Sequence, residues 1–189
     1  SIRLPDDMAD SLKNLSETFR QAGTADGLAQ AVKLIAAAPR VRVLGLRNGH
    51  FVAAYAAYLL AQLRDEVIGL PGPALTLAED LATLRRGDLL LVVDFRRRSS
   101  LLQPIVEAAR AAGARLVFVT GQGMPALARK GDVVLPCLTE GASIFDSYVA
   151  AVSLVNYLCA GVAKALGNAS RKRLAAIETL HDALGDIRH

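Results

Sequence analysis

Three consecutive arginines, Arg96, Arg97 and Arg98, are preceded by Asp94 and followed at once by Ser99 and Ser100. Guanidinium groups make bidentate, charge-assisted hydrogen bonds to phosphate or carboxylate, each worth about 1.5–3 kcal/mol when well placed. Adjacent serine hydroxyls can cap a helix or bond the same anion. This is the chemistry of holding an anion. A charge run is more often a solvated edge, so position has to decide. Here the run follows the apolar stretch Leu89 to Val93, which reads as a β-strand. After it, Leu101, Leu102, Ile105, Val106, Ala108 and Ala109 recur at helical spacing. In open α/β sheets ligands bind beyond the carboxyl ends of strands, where helix N-termini point free N–H groups.

A second turn has similar potential. Gly45-Leu46-Arg47-Asn48-Gly49-His50 follows another apolar stretch, Val41 to Leu46. Its two glycines suit either a tight strand-to-helix turn or close approach of the backbone to a ligand. The spacing is neither the G-x-G-x-x-G dinucleotide fingerprint nor a P-loop, since no Lys-Ser/Thr follows. The candidate ligand set is therefore Gly45, Arg47, Asn48, Gly49, Asp94, Arg96, Arg97, Arg98, Ser99 and Ser100.

Proton transfer has few candidates: His50, Glu79, Glu140 and His181. No H-x-x-x-H, C-x-x-C or acidic cluster suggests a metal, no nucleophile-elbow motif is present, and no cofactor is expected.

These residues need a scaffold, and the chain supplies an alternating one. Residues 1–39 read as two helices. In the first, Met8, Leu12, Leu15 and Phe19 share a face, and Gly23-Thr24 ends it. Thr24 then caps a second helix that stops at Pro39. Strands are expected at Val41 to Leu46, Glu66 to Leu70, Leu89 to Val93, Ala114 to Val119 and Val133 to Leu135. Helices are expected at His50 to Leu63, Leu75 to Leu84, Ser99 to Ala112, Pro125 to Lys130, Ser143 to Leu166 and Ala169 to Leu184. Strands one, three and four are almost wholly apolar, as when helices cover both faces of a parallel sheet. The fold class is α/β, a three-layer α-β-α sandwich with a five-stranded parallel sheet in flavodoxin-like order 2-1-3-4-5, flanked by N- and C-terminal helices. Its switch point lies between strands one and three, so both turns face one crevice.

Composition agrees. A chain of 189 residues with 52% hydrophobic content is long enough for a substantial core and is not a disordered polymer. A net charge of +4 suits small anions but does not by itself argue for nucleic acid. Cys137 and Cys159 are isolated in apolar surroundings, which points to a reducing cytoplasm. No signal peptide is recognised, and the apolar run Val149 to Leu166, broken by Ser153, Asn156 and Lys164, reads as a core or interface helix with no membrane partner.

Several stretches together resemble one known family. V-L-G-L-R-N-G-H-F-V-A-A-Y (43–55), L-A-E-D-L-A-T-L-R-R-G-D-L-L-L-V-V-D-F-R-R-R (77–98), G-A-R-L-V-F-V-T (113–120), P-A-L-A-R-K-G-D-V-V-L (125–135) and E-G-A-S-I-F-D-S-Y (140–148) are similar to the sugar isomerase (SIS) domain of RpiR/MurR-type bacterial transcription regulators. The resemblance implies a sugar-phosphate-sensing domain at residues 40–189, with 1–39 as leading helices or linker. It implies DNA binding through a helix-turn-helix module that is not in this chain, while the long apolar helix 143–166 can pack against its copy, which gives a homodimer or a tetramer of such dimers. The alternative is an aldose–ketose sugar-phosphate isomerase using His50, Glu79, Glu140 or His181. Two departures bear on the ligand. The family's G-x-G-x-S is here Gly45, Arg47 and Gly49, without the phosphate-binding serine. Its S-x-S-G-x-T-x-E is here Asp94, Arg96, Arg97, Ser99 and Leu101, so either phosphate is held by Arg47 and Arg96 to Arg98 or the ligand is another small anion.

Overall fold

The computed structural model describes residues 4–24, 26–95, 99–121, 127–141 and 144–186. Two helices, α1 (Leu4–Thr24) and α2 (Gly27–Ala37), lead into the alternating region. There follow β1 (Val41–Gly45), α3 (Gly49–Leu63), β2 (Val67–Leu70), α4 (Leu77–Ala82), β3 (Leu89–Asp94), α5 (Leu102–Ala111), β4 (Arg115–Thr120) and β5 (Val133–Pro136). Helices α6 (Val149–Leu166) and α7 (Asn168–Leu184) close the described chain.

All five strands are parallel, in the order β2-β1-β3-β4-β5. The expected topology is the observed one. The apolar strands bury both faces. Val41, Val43, Leu89, Leu91, Val93, Val117 and Val119 pack with α2, α3 and α6. On the opposite face Leu44, Leu90, Val92, Leu116 and Phe118 pack with α5 and the flank of α4. Helix α6 is long and apolar enough to cross a bilayer, yet Ala150, Ala151, Leu154, Val155, Leu158, Cys159 and Val162 lie in the core. Helix α2 adds Ala31 and Ile35 to that core, and Gly161 of α6 lets it come close: a Cβ there would stand 2.7 Å from Val32.

Local readings fail where a tertiary hydrogen bond outweighs periodicity. Helix α6 starts at Val149, not Ser143, because the Ser147 N–H is taken by the Thr139 carbonyl at 2.8 Å. Of the helix expected at Pro125 to Lys130, residues 125 and 126 lie outside the described residues and 127–130 are not helical; Asp132 accepts the Arg129 N–H at 2.8 Å, while Arg110 draws off the Leu127 carbonyl at 2.5 Å. Helix α1 runs through Thr24, and α2 starts after Asp26, so Thr24 is not its cap. Met8 and Leu12 are 64% and 63% exposed; the buried face of α1 runs instead through Leu15 and Thr18.

Candidate functional site

The turn leaving β1 is built around its two glycines. A Cβ on Gly45 would collide with the Gly49 carbonyl oxygen and stand 2.6 Å from the Ala53 Cβ. A Cβ on Gly49 would stand 2.5 Å from the Val93 carbonyl oxygen. Both glycines thus seat α3 against β1 and β3. Between them Arg47 takes φ = 53°, a left-handed conformation that costs a non-glycine residue about 1–2 kcal/mol. The turn is held by Gly49 N–H donating to Leu46 at 3.0 Å and His50 N–H donating to Arg47 at 3.1 Å.

The exit of β3 lies alongside, as the switch point requires: Gly45 is in register with Val93. Asp94 is 5% exposed and continues the strand row of Leu90 and Val92. It pairs in register with Thr120, whose buried hydroxyl has no hydrogen-bond partner among the described residues. Phe95 is buried, and its ring lies against Tyr148 at 5.2 Å. Leu46, Asn48 and Gly49 from the first turn, Phe95 from the second, and Asp146 and Tyr148 from the foot of α6 line one crevice. Its volume among the described residues is about 10 Å³, room for little more than one water. Asn48 and Tyr148 are shared with an adjoining apolar cavity of about 260 Å³, which Phe51, Val52 and Val152 complete.

The predicted ligand set divides. Gly45, Asn48, Gly49 and Asp94 stand at the two exits, with Arg47 exposed on the first turn. Arg96, Arg97 and Arg98 lie outside the described residues. Ser99 and Ser100 are not the caps of α5, whose first flanking residue is Leu101. The Ser99 hydroxyl accepts the Leu101 N–H at 3.3 Å and its carbonyl accepts the Leu102 N–H at 3.1 Å, so these residues form the turn before α5, which begins at Leu102 and not at the expected Ser99.

The four acid–base candidates are dispersed. His50 is exposed on the first turn of α3, with its ring edge-on to Phe51. Glu79 is the third residue of α4 and closes a capping box: it accepts the Thr76 N–H at 2.7 Å, and its own N–H donates to the Thr76 hydroxyl at 3.4 Å. That backbone bond holds its carboxyl below the usual range, which makes it a poorer base. Glu140 is exposed and gives its backbone carbonyl to Asn14 at 2.6 Å. His181 sits on α7 with Nδ1 2.8 Å from Asp186. None of the four lines the crevice or bonds another. Among the described residues no cluster of His, Cys, Asp or Glu could hold a metal.

Phe95, Asp146 and Tyr148 were missing from the sequence-based ligand set. The available signal was the triplet Asp146-Ser147-Tyr148 just before an apolar helix and after the fifth strand, but periodicity absorbed it into that helix.

Residues 34–160 match the SIS domain family. The sugar isomerase domain of an RpiR transcription factor from Sphaerobacter thermophilus is 26% identical, with a TM-score of 0.85 over 94% of this chain and 99% of that one. NanR of Vibrio vulnificus, solved with ManNAc-6P, shares the fold at 19% identity and a TM-score of 0.75, over 94% of this chain and 70% of that one. A curated relative, the bifunctional protein glk of Paraburkholderia xenovorans, is 27% identical over 79% of this chain, which spans only 23% of that protein's length. With two thirds of its length inside the family match and the family's sheet order, the chain belongs to the SIS domain family.

Proposed function

We propose that this chain is the effector-binding domain of a cytoplasmic transcription regulator and takes a phosphorylated sugar over the mouth of the crevice between the β1 and β3 exits. Residues 40–189 form the sensing domain in this reading, and 1–39 are its leading helices. DNA is contacted by a helix-turn-helix module not included in these residues. The observation that carries the proposal is the likeness to the RpiR regulator's sugar isomerase domain, which extends over 94% of this chain. The site supports it: a recess at the switch point, with a backbone-strained Arg47 on one side and the Arg96 to Arg98 stretch following the other. Gly45, Asn48, Gly49 and Asp94 shape the sugar end; Arg47, Arg96, Arg97, Arg98, Ser99 and Ser100 hold the phosphate.

Thermal unfolding against hexose 6-phosphates, each beside its unphosphorylated parent, tests this. Ligand at a hundred times its Kd adds about 2.7 kcal/mol, raising Tm by about 5–11 °C for a chain this size. A shift with the phosphate alone is the expected result; no shift across the panel overturns the reading. The alternative, an aldose–ketose isomerase, needs a base at the substrate carbons. Turnover of a hexose 6-phosphate that is lost in His50→Ala or Glu140→Ala would replace sensing with catalysis.

The same reading makes the domain a homodimer. Phe51 of α3 and Val152 of α6 line the cavity beside the crevice, and Tyr58 and Val149 are exposed apolar residues of the same two helices, a surface of the kind that associates. Sedimentation should give a dimer or tetramer, and Val152→Asp should lower that state.

A further inference from the structure

We propose that α1 braces the site from behind: a polar seam through Ser11, Asn14 and Thr18 holds the connection that carries Asp146 and Tyr148 to the crevice, so that occupancy of the crevice and docking of α1 are coupled. This rests on the crevice being the ligand site.

The three residues stand at positions i, i+3 and i+7 of one helix and so share a face. All three meet the same partner, the connection between β5 and α6. The Ser11 and Ser147 hydroxyls are 2.8 Å apart. The Asn14 amide donates to the Glu140 carbonyl at 2.6 Å. The Leu138 N–H donates to the hydroxyl of Thr18, which is fully buried, at 3.0 Å. That connection is itself closed by the 2.8 Å bond from the Ser147 N–H to the Thr139 carbonyl. What α1 grips is therefore one loop at both of its ends.

The loop reaches the crevice directly. Ser147 lies between Asp146 and Tyr148, both of which line the recess, and Tyr148 rests on Phe95 at the β3 exit. The other end of α1 is fastened differently: Phe19 packs edge-on against Tyr157 of α6 at 5.5 Å. With Met8 and Leu12 facing solvent, Ser11 and Asn14 fasten this stretch of α1 by hydrogen bonds. Such bonds are directional, so a shift of Asp146 or Tyr148 on ligand entry moves Ser147 and is felt at Ser11. By thermodynamic reciprocity, whatever pulls on α1 changes the affinity of the crevice.

Hydrogen exchange of the whole chain, followed by mass spectrometry, separates this proposal from the reading beneath it. Without ligand, Thr18→Val and Asn14→Ala should speed exchange at 138–141 and 144–148 by about fivefold or more while β1 to β3 stay unchanged. Thr18→Ser, which keeps the hydroxyl, should restore the slow rate; unchanged exchange in Thr18→Val overturns the seam. The second arm adds ManNAc-6P or glucose 6-phosphate to the unaltered chain. Slower exchange at 45–50 and 144–148 together with α1 is the expected result. Protection of the crevice with α1 unchanged overturns the coupling. No protection anywhere counts against the phosphosugar reading, and the ligand-free arm then decides the seam alone.

Discussion

The rings of Phe95 and Tyr148 lie 5.2 Å apart at an interplanar angle of 57°, and through this contact the exit of β3 rests on the foot of α6. Aromatic pairs of this kind contribute about 0.5–1.5 kcal/mol beyond the area they bury. Tyr148→Ala should therefore cost about 2 kcal/mol in urea unfolding, allowing for the half-buried ring. It should also weaken any phosphosugar that binds, whereas Tyr148→Phe should retain both.

The glycines of the β1 turn should be indispensable for packing. Gly49→Ala drives a methyl group into the Val93 backbone, and backbone yields less readily than a side chain. The expected loss is about 2–3 kcal/mol. Gly121→Ala, with nothing within 4 Å of its Cβ position among the described residues, is the control and should stay within about 0.5 kcal/mol. Denaturant midpoints of the two variants give the answer.

Arg47→Gly is the complementary test. Glycine accepts φ = 53° without strain, so stability should change by less than about 1 kcal/mol. Affinity for a hexose 6-phosphate should nonetheless fall about tenfold, the value of one charge-assisted contact. Isothermal titration reads the affinity and thermal unfolding the stability. Equal affinity in the variant would show that the strained arginine serves only the turn.

At the opposite end of the sheet, Asp88 is a buried carboxylate that fixes the start of β3. It accepts from Arg40 at 3.0 and 2.6 Å and from the Arg85 N–H at 2.7 Å. Removing one partner of a buried pair strands the other, so Asp88→Ala should cost about 3 kcal/mol or more. Urea unfolding checks it; a loss under about 1 kcal/mol would mean that the pair is solvated in practice.

Stability should fall in alkali through the two thiols. Burial pushes both Cys137 and Cys159 up from 9.0 to about 12 in the folded chain. A raised folded pKa means that the unfolded chain ionises first. The neutral thiols' contribution is thus complete below about pH 9 and is lost as pH rises toward 12, with a limiting slope of about 1.4 kcal/mol per pH unit for each thiol. Unfolding midpoints between pH 8 and 10.5, compared with those of a Cys137→Ala, Cys159→Ala double variant, isolate the effect. A variant as pH-sensitive as the parent would exclude the thiols as its source.

Much of the fold was legible because parallel strands covered on both faces have no polar alternation to hide. Leu89 to Val93 and Leu116 to Val119 read as buried strands, right-handed crossovers set the face each helix covers, and the order 2-1-3-4-5 is one of the common doubly wound orders that these leave open. Helix ends were read less well. Thr76 with Glu79 forms a true capping box, yet Ser99, equally suited by type, spends its hydroxyl inside the turn before α5. The side of α1 that packs was also misread, since its inner face is partly polar and periodicity counts only apolar residues.

By itself the sequence determined the strands, the helices between them and the turns that follow strands one and three, because backbone periodicity and short-range sterics act between neighbours in the chain. Only the tertiary structure decided that residues 144–148 leave the helix, that Tyr148 meets Phe95, and that Ser11, Asn14 and Thr18 bond the connection that carries Asp146 and Tyr148. Those contacts join residues from 53 to 136 positions apart. A hydrogen bond or ring contact across that distance leaves no periodic trace, since it depends on where the fold carries each segment.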